Sequence, residues 1–280
     1  MSGMVINTNV SSLTAQRHLT ASRAEMEQAM ERLSSGKRVN SAMDDAAGLT
    51  IGHSMDSKIA SLNQAVRNAN DGIALINLAE GAMDEVSAML TRMKELATQS
   101  INGTYGSTDR NNLELERAQL EAEIDRIADY TTFNGIKLLD GTNTSLSFQL
   151  GDSSSDTITV TLTDINASAI GDTATTARLD DISVSTATKA TTALSIIDEA
   201  IKDVDTARAK LGAYGNRMDH AASNLMSRVE HQSAARSRIM DADYAVESAN
   251  LAKSQVLQQA GSAMLAQANA STANILSLLK

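Results

Sequence analysis

Four histidines are the obvious candidates for proton transfer or metal binding: His18, His53, His220 and His231. No two of them stand three or four residues apart, so no helical metal pair exists, and each is read as a solvated or capping side chain. The adjacent carboxylates Asp44 and Asp45 could serve general acid-base work, but neighbouring side chains leave a helix in different directions. Neither has a His or a further acid at ligand spacing. The electrostatics of a helix start accounts for them better. No Gly-rich phosphate loop, nucleophile elbow or HExxH motif occurs. The chain has no Cys, which removes disulfides, thiolate catalysis and thiolate metal sites together. Its 13 Met fall at helix seams and read as adaptable packing rather than as ligands. An enzyme is therefore not expected, nor any catalytic, cofactor-binding or metal site.

The surfaces the helices present remain as the source of function. Of the 280 residues 42% are hydrophobic but only 2% aromatic, and there is no Pro or Trp. Large rings dominate the burial of ordinary enzyme cores; long Ala, Leu, Ile and Met seams do without them, and an absence of Pro suits unbroken helices. The net charge of -10 argues against a nucleic-acid partner, whose binding rests on basic patches.

Both ends of the chain avoid charge. From Ser248 to Leu279 the one charged residue is Lys253, in a run of helix formers interrupted only by Gly261. Its small and apolar residues form two adjacent stripes, Ala249, Ala252, Val256, Ala260, Ala263 and Leu257, Gly261, Met264, Ala268, which implies burial on more than one side. The run is too rich in Gln, Asn and Ser for a membrane span. The opening MSGMVINTNVSSLTAQ carries no charge either, and Ile6, Val10 and Leu13 stand at helical spacing. It lacks the basic and continuous apolar regions of a secretory signal. Two such ends suit a subunit packed among copies of itself. The expected packing set is Ile6, Val10, Leu13, Val256, Leu257, Met264, Leu265, Ile275 and Leu276.

Between the ends the spacing predicts a mainly α fold, an antiparallel coiled-coil or helical bundle with a small β-hairpin. The first helix ends at Gly36, a natural C-cap. KRVNSAMDDAAGLTIGHSM reads as a connector with short helical turns. The next helix has a seam of Ile59, Leu62, Val66, Ala69, Ile73 and Ile76 that resumes one position out of phase as Ala82, Val86, Met89, Met93 and Leu96. NGTYGST breaks it, and a third helix with Leu113, Leu120, Ile124 and Ile127 on one face turns back along it. Asn134-Gly135 is a turn signal. A period of two then marks a hairpin, Leu146, Phe148, Leu150 facing Ile158, Val160, Leu162. Residues 164–189 read as an exposed loop apart from a short strand at 182–184. From Ala190 apolar residues alternate by three and four for more than forty residues, with a bend at Tyr214-Gly215-Asn216, in a helix that lies antiparallel to the second.

Several long motifs now stand in order: MVINTNVSSLTAQ, ERLSSGKRVNSAMDDAAGL, LTRMKELATQ, EIDRIADYTTFNGIKLL, LGAYGNRM and QVLQQAGSAMLAQANASTANILSLL. Together they closely resemble bacterial flagellin, over about the first 140 and last 90 residues. The short middle, 141–189, falls where that family is variable, so the resemblance implies a form without the outer variable domains.

The resemblance implies a polymeric tube in the extracellular flagellar filament. Residues 1–43 with 239–280 would form its inner coiled-coil layer, and 44–238 the next layer of bundle and hairpin. It implies export by the flagellar type III apparatus, a chaperone that takes the C-terminal segment, and contacts with hook-associated and cap proteins. It further implies recognition by toll-like receptor 5, with Arg92, Leu96 and Glu116 at the family's contact positions. Thr91 and Lys94 stand in place of the commoner Gln and Arg, and Ser271-Thr272-Ala273 replaces a Pro-containing turn. The alternatives are a hook-filament junction protein, disfavoured by the closing AMLAQANASTANILSLL, and a chemoreceptor-like signalling coiled coil, which would need a membrane span.

Overall fold

The three-and-four spacing of apolar residues becomes long helix wherever Gly, Asn and Asp do not intervene. The computed structural model describes residues 8–171 and 177–277. It contains five α-helices among the described residues, α1 Val10–Ser35, α2 Ala46–Ile101, α3 Ser107–Tyr130, α4 Ala187–Met240 and α5 Tyr244–Ser277. Two antiparallel hairpins, β1 Thr132–Phe133 with β2 Ile136–Lys137 and β3 Ser145–Gln149 with β4 Thr157–Thr161, lie between α3 and α4 in the chain. The chain divides into two compact units, Met1–Ile59 with Glu230–Lys280, and Ala60–Val229.

In the Ala60–Val229 unit, α2 and α4 run antiparallel. Gly72 meets Met218, Arg208 pairs with Glu80 at 2.7 Å, and Lys94 pairs with Asp198 at 2.6 Å. The buried seam of α2 is Leu62, Ala65, Ala69, Gly72, Ile76, Ala79, Met83, Val86, Leu90, Met93 and Ala97. It alternates by three and four throughout, so the phase slip expected after Ile76 does not occur. Small residues carry the seam through: Gly72 and Ala79 leave room that Met218 and its neighbours fill, whereas Ala82 and Met89 sit at its margin. The helix α4 crosses Tyr214-Gly215-Asn216 without a bend, and the Tyr214 hydroxyl shares a hydrogen bond with Thr161 Oγ1 at 3.1 Å. The third helix doubles back on α2, with the Arg110 guanidinium donating to the Ser100 carbonyl at 2.8 Å.

The hairpin forms in the predicted register, Leu146 opposite Val160 and Phe148 opposite Ile158. Asn134 and Gly135 both adopt positive φ, 49° and 79°, the geometry of a two-residue turn whose twist suits β1 and β2. The described residues 164–171 and 177–186 are not the expected exposed loop. Ile165, Ala167, Ile170, Leu179, Ile182 and Val184 are all buried in the core. The segment is irregular because side chains satisfy its backbone in place of a strand ladder. Asp125 accepts from the Ala167 amide at 2.8 Å, Glu114 from the Val184 amide, and Asp203 from the Gly171 amide at 3.1 Å, while the Ser100 hydroxyl donates to the Val184 carbonyl at 2.6 Å. No strand forms at 182–184 for the same reason.

In the other unit, α1 ends at Gly36 as expected, with φ 69° and its amide donating to the Arg32 carbonyl at 2.9 Å. The connector is shorter than predicted, because α2 begins at Ala46 and takes Gly48 and Gly52 into its first turns. Asp45 caps that start, accepting from the Gly48 amide at 2.8 Å, and Gly52 gives the side chain of Met240 the space a Cβ would fill. Asp44 instead accepts from the Ser41 amide at 2.9 Å and from Gln28; these hydrogen bonds hold its carboxyl below the usual carboxylate range. Asp45 therefore belongs to the helix start, whereas Asp44 closes the turn of residues 40–44 ahead of it. The two connectors are joined by backbone: Arg38 donates to the Met240 carbonyl at 2.7 Å and Ala242 to the Gly36 carbonyl at 3.0 Å, around a bridge between Lys37 and Asp241.

Candidate assembly surface

The uncharged ends meet. Helices α1 and α5 lie antiparallel, and their register is fixed at four levels. The Asn9 side chain caps α1 by accepting from the Ser12 amide at 3.0 Å and donates to the Ala268 carbonyl at 2.9 Å. Ser12 donates to the Asn269 side chain at 2.9 Å. Leu19 packs over Gly261, where an added Cβ would lie 3.2 Å from its Cδ1. Arg32 pairs with Glu247 at 3.0 Å, and Ser22, Ser254 and Glu247 are buried in the seam.

This pairing covers only one side of each helix. Val10 and Leu13 on α1, and Val256, Leu257 and Met264 on α5, remain exposed, and Leu265 is half-buried. Between the helices runs an open groove of about 640 Å³, walled by Val10, Ala15, Leu19, Leu257, Ala260 and Met264 among others. Ile6 lies outside the described residues, and Ile275 and Leu276 lie on α5. Tyr244 and Val246, at the start of α5, also expose apolar surface. Val246 stands three residues before Ala249, at the spacing of the first stripe, whereas Tyr244 lies off it between Asp243 and Glu247, where charge gives no signal. An apolar face of this kind on a folded subunit marks a contact site.

A second surface lies on α2 and α3. Arg92 donates to Glu116 at 2.9 Å and pairs with Glu95 at 2.8 Å; both carboxylates stabilise its charge, so its guanidinium is held more firmly protonated than usual. Arg92 and Glu116 are about half exposed, whereas Leu96 is 0% exposed. Leu96 thus has no surface to offer a ligand and supports the helix from beneath, a correction to its place among the contact residues.

The arrangement holds no reactive constellation. The four histidines are all exposed on helix surfaces, and among the described residues no group of three or more His, Cys, Asp or Glu could hold a metal ion. No helix among them is long and apolar enough to cross a membrane.

The sequence profile of the bacterial flagellin N-terminal helical region matches residues 6–144, and that of the C-terminal helical region matches residues 194–279. A flagellin of Halalkalibacterium halodurans is 44% identical over 277 residues, covering 99% of this chain and all of that one. The chain belongs to the bacterial flagellin family. It is also 39% identical to the flagellar filament 33 kDa core protein of Treponema phagedenis, over 99% of this chain and 100% of that one. The alignment with flagellin A of Vibrio cholerae, 35% identical and covering 98% of this chain and 99% of the relative, runs over 375 positions, so the relative carries residues this chain lacks. The family profiles leave 145–193 unmatched, which places the shortening there and makes this a form without the variable domain. A crystal structure of Bacillus cereus flagellin superposes with TM-score 0.51 at 34% identity, over 61% of this chain and 94% of that one. A putative flagellar hook-associated protein of Vibrio parahaemolyticus superposes with TM-score 0.61, over 71% of this chain and 100% of that one, but at 16% identity it shows the fold alone. The family is structural and not enzymatic.

Proposed function

We propose that the chain is the structural subunit of a bacterial flagellar filament, polymerising with copies of itself outside the cell. The observation that carries this reading is the α1/α5 pair, which leaves Val10, Leu13, Val256, Leu257 and Met264 facing solvent on a well-formed helical hairpin. Burying such a face stabilises an assembly by roughly 25 cal/mol for each Å² of apolar surface removed from water. In this reading residues 1–43 with 239–280 form the inner layer of the tube and 44–238 the next. The full-length identity to flagellins favours this role over that of a hook-filament junction protein. The test is to seed purified monomer with filament fragments and follow fibre growth by electron microscopy. The full chain elongates the seeds and a variant truncated after Gln267 stays monomeric; full chain that leaves the seeds unchanged overturns the proposal.

The same reading includes type III export, a chaperone that shelters the C-terminal segment, end contacts with hook-associated and cap proteins, and recognition of the monomer by toll-like receptor 5. Support for the last is the exposed Arg92–Glu116 pair on α2 and α3, with Leu96 as its buried support. Assembly occupies the same surface, so signalling belongs to dissociated subunits. Equal receptor signalling from monomers and from cross-linked filaments would refute that.

A further inference from the structure

The described methionines range from enclosed to exposed, with Met26, Met55 and Met89 between. Met83, Met93, Met218 and Met240 are enclosed in the packed seams, while Met30, Met43, Met226 and Met264 are exposed. Of these four, Met264 alone lines the groove between α1 and α5, beside Leu257, Ala260 and Gly261 and across from Val10 and Leu19. It is 64% exposed, against 0% for Met218, so a dissolved oxidant reaches one thioether and not the other.

We propose that the Met264 thioether is a modification site, and that its oxidation by a peroxide or hypohalous acid prevents the α1/α5 face from packing against a second copy of the chain. The second half rests on the assembly reading above. The sulfur lone pair attacks one oxygen of hydrogen peroxide, an S–O bond forms as the O–O bond breaks, and the departing hydroxide takes the proton from the new S–OH group to leave as water. Sulfur loses two electrons and the peroxide gains them, so no further reactant is required. The product exchanges an apolar, flexible side chain for one bearing a strong S–O dipole. In the free subunit that dipole faces water and α5 is undisturbed. In a contact between copies it enters an apolar groove and loses its hydration. Methionine sulfoxide reductases return the sulfoxide to the thioether by oxidising two thiols to a disulfide, with the oxygen leaving as water, so the block is reversible. Assembly in turn covers the thioether, so the reaction belongs to subunits and not to the polymer.

The experiment exposes full-length monomer to hydrogen peroxide until oxidation is partial, adds filament fragments, and separates polymer from soluble protein by sedimentation. Peptide mass spectrometry then reads sulfoxide at each methionine in both fractions. Met264 sulfoxide is depleted from the polymer by roughly tenfold, the change that a little over 1 kcal/mol of unpaired polar burial produces, while Met43 and Met226 sulfoxides distribute evenly. Oxidation leaves the seeded growth of a Met264→Leu variant at that variant's own unoxidised level, and reductase treatment restores the oxidised wild type. Equal Met264 sulfoxide in both fractions, or equal inhibition of Met264→Leu and wild type, overturns the proposal. Untreated protein that fails to elongate seeds overturns the assembly reading and this inference with it; normal elongation by untreated protein with no selection against Met264 sulfoxide overturns this inference alone.

Discussion

Replacing Val256 separates the fold of the subunit from its assembly. The side chain is 64% exposed on α5, so about two thirds of it is available to a neighbouring copy and little of it holds the subunit together. Full burial of a Val or Leu side chain is worth about 1.5–3 kcal/mol, so burying the remainder contributes about 1–2 kcal/mol. Val256→Ala then raises the soluble concentration in equilibrium with polymer by about 5–30-fold. Val256→Asp goes further, because it also carries an unpaired carboxylate into an apolar contact. Neither substitution shifts monomer stability by more than about 0.5 kcal/mol beyond the helix-propensity difference. The assay is seeded growth followed by sedimentation, with the residual soluble protein measured, beside circular-dichroism melting of the monomer. Val256→Asp protein that polymerises at the wild-type residual concentration refutes the argument from the exposed face.

Three further perturbations probe the fold. Leu179→Ala costs about 2–5 kcal/mol in denaturant unfolding, since Leu179 is fully buried; a solvated loop would give a change within about 0.5 kcal/mol. Gly81→Ala and Gly212→Ala each stabilise by about 0.5–1 kcal/mol, because a Cβ at either meets nothing within 4 Å. Gly72→Ala gains no stability, since its Cβ would stand 2.6 Å from Met218 Sδ, and a higher melting temperature for it would contradict this packing. Glu247→Ala loosens α1 by about 1–3 kcal/mol, read as faster amide hydrogen exchange, by leaving Arg32 without its carboxylate. Arg32→Met with Glu247→Leu recovers most of that loss if the pair sets register rather than stability.

Legibility in the sequence followed periodicity. The α4 seam, the Leu146–Val160 hairpin, the Gly36 cap and the pairing of the ends all rest on side chains repeating at two or 3.6 residues, and all appear in the fold. Two misreadings came from treating small residues as interruptions. Gly48 and Gly52 look like breakers, yet one donates its amide to the Asp45 cap and the other leaves room for the Met240 side chain, so helix continues through them. Gly72 and Ala79 look too small for a seam, yet they carry it. Residues 164–171 and 177–186 were illegible for a different reason. Several of their backbone groups are satisfied by Asp125, Glu114, Asp203 and Ser100, residues distant in sequence, and others by irregular backbone pairs such as Leu179 with Ile170, so a buried segment without a ladder has no period to detect. At the second surface the resemblance placed Leu96 at a contact, and its complete burial takes it out of a partner's reach, although it lies off the observed seam of α2.

The antiparallel ladder from Asn9–Ala268 to Arg32–Glu247 sets an order of events on the subunit. The contacts that hold α1 to α5 join residues 215 to 259 positions apart in the chain. Closing so long a loop comes late in folding, after the local pairings have formed. Helix α1 is therefore among the last elements to find its place, and it has to be kept from wandering until α5 has been made.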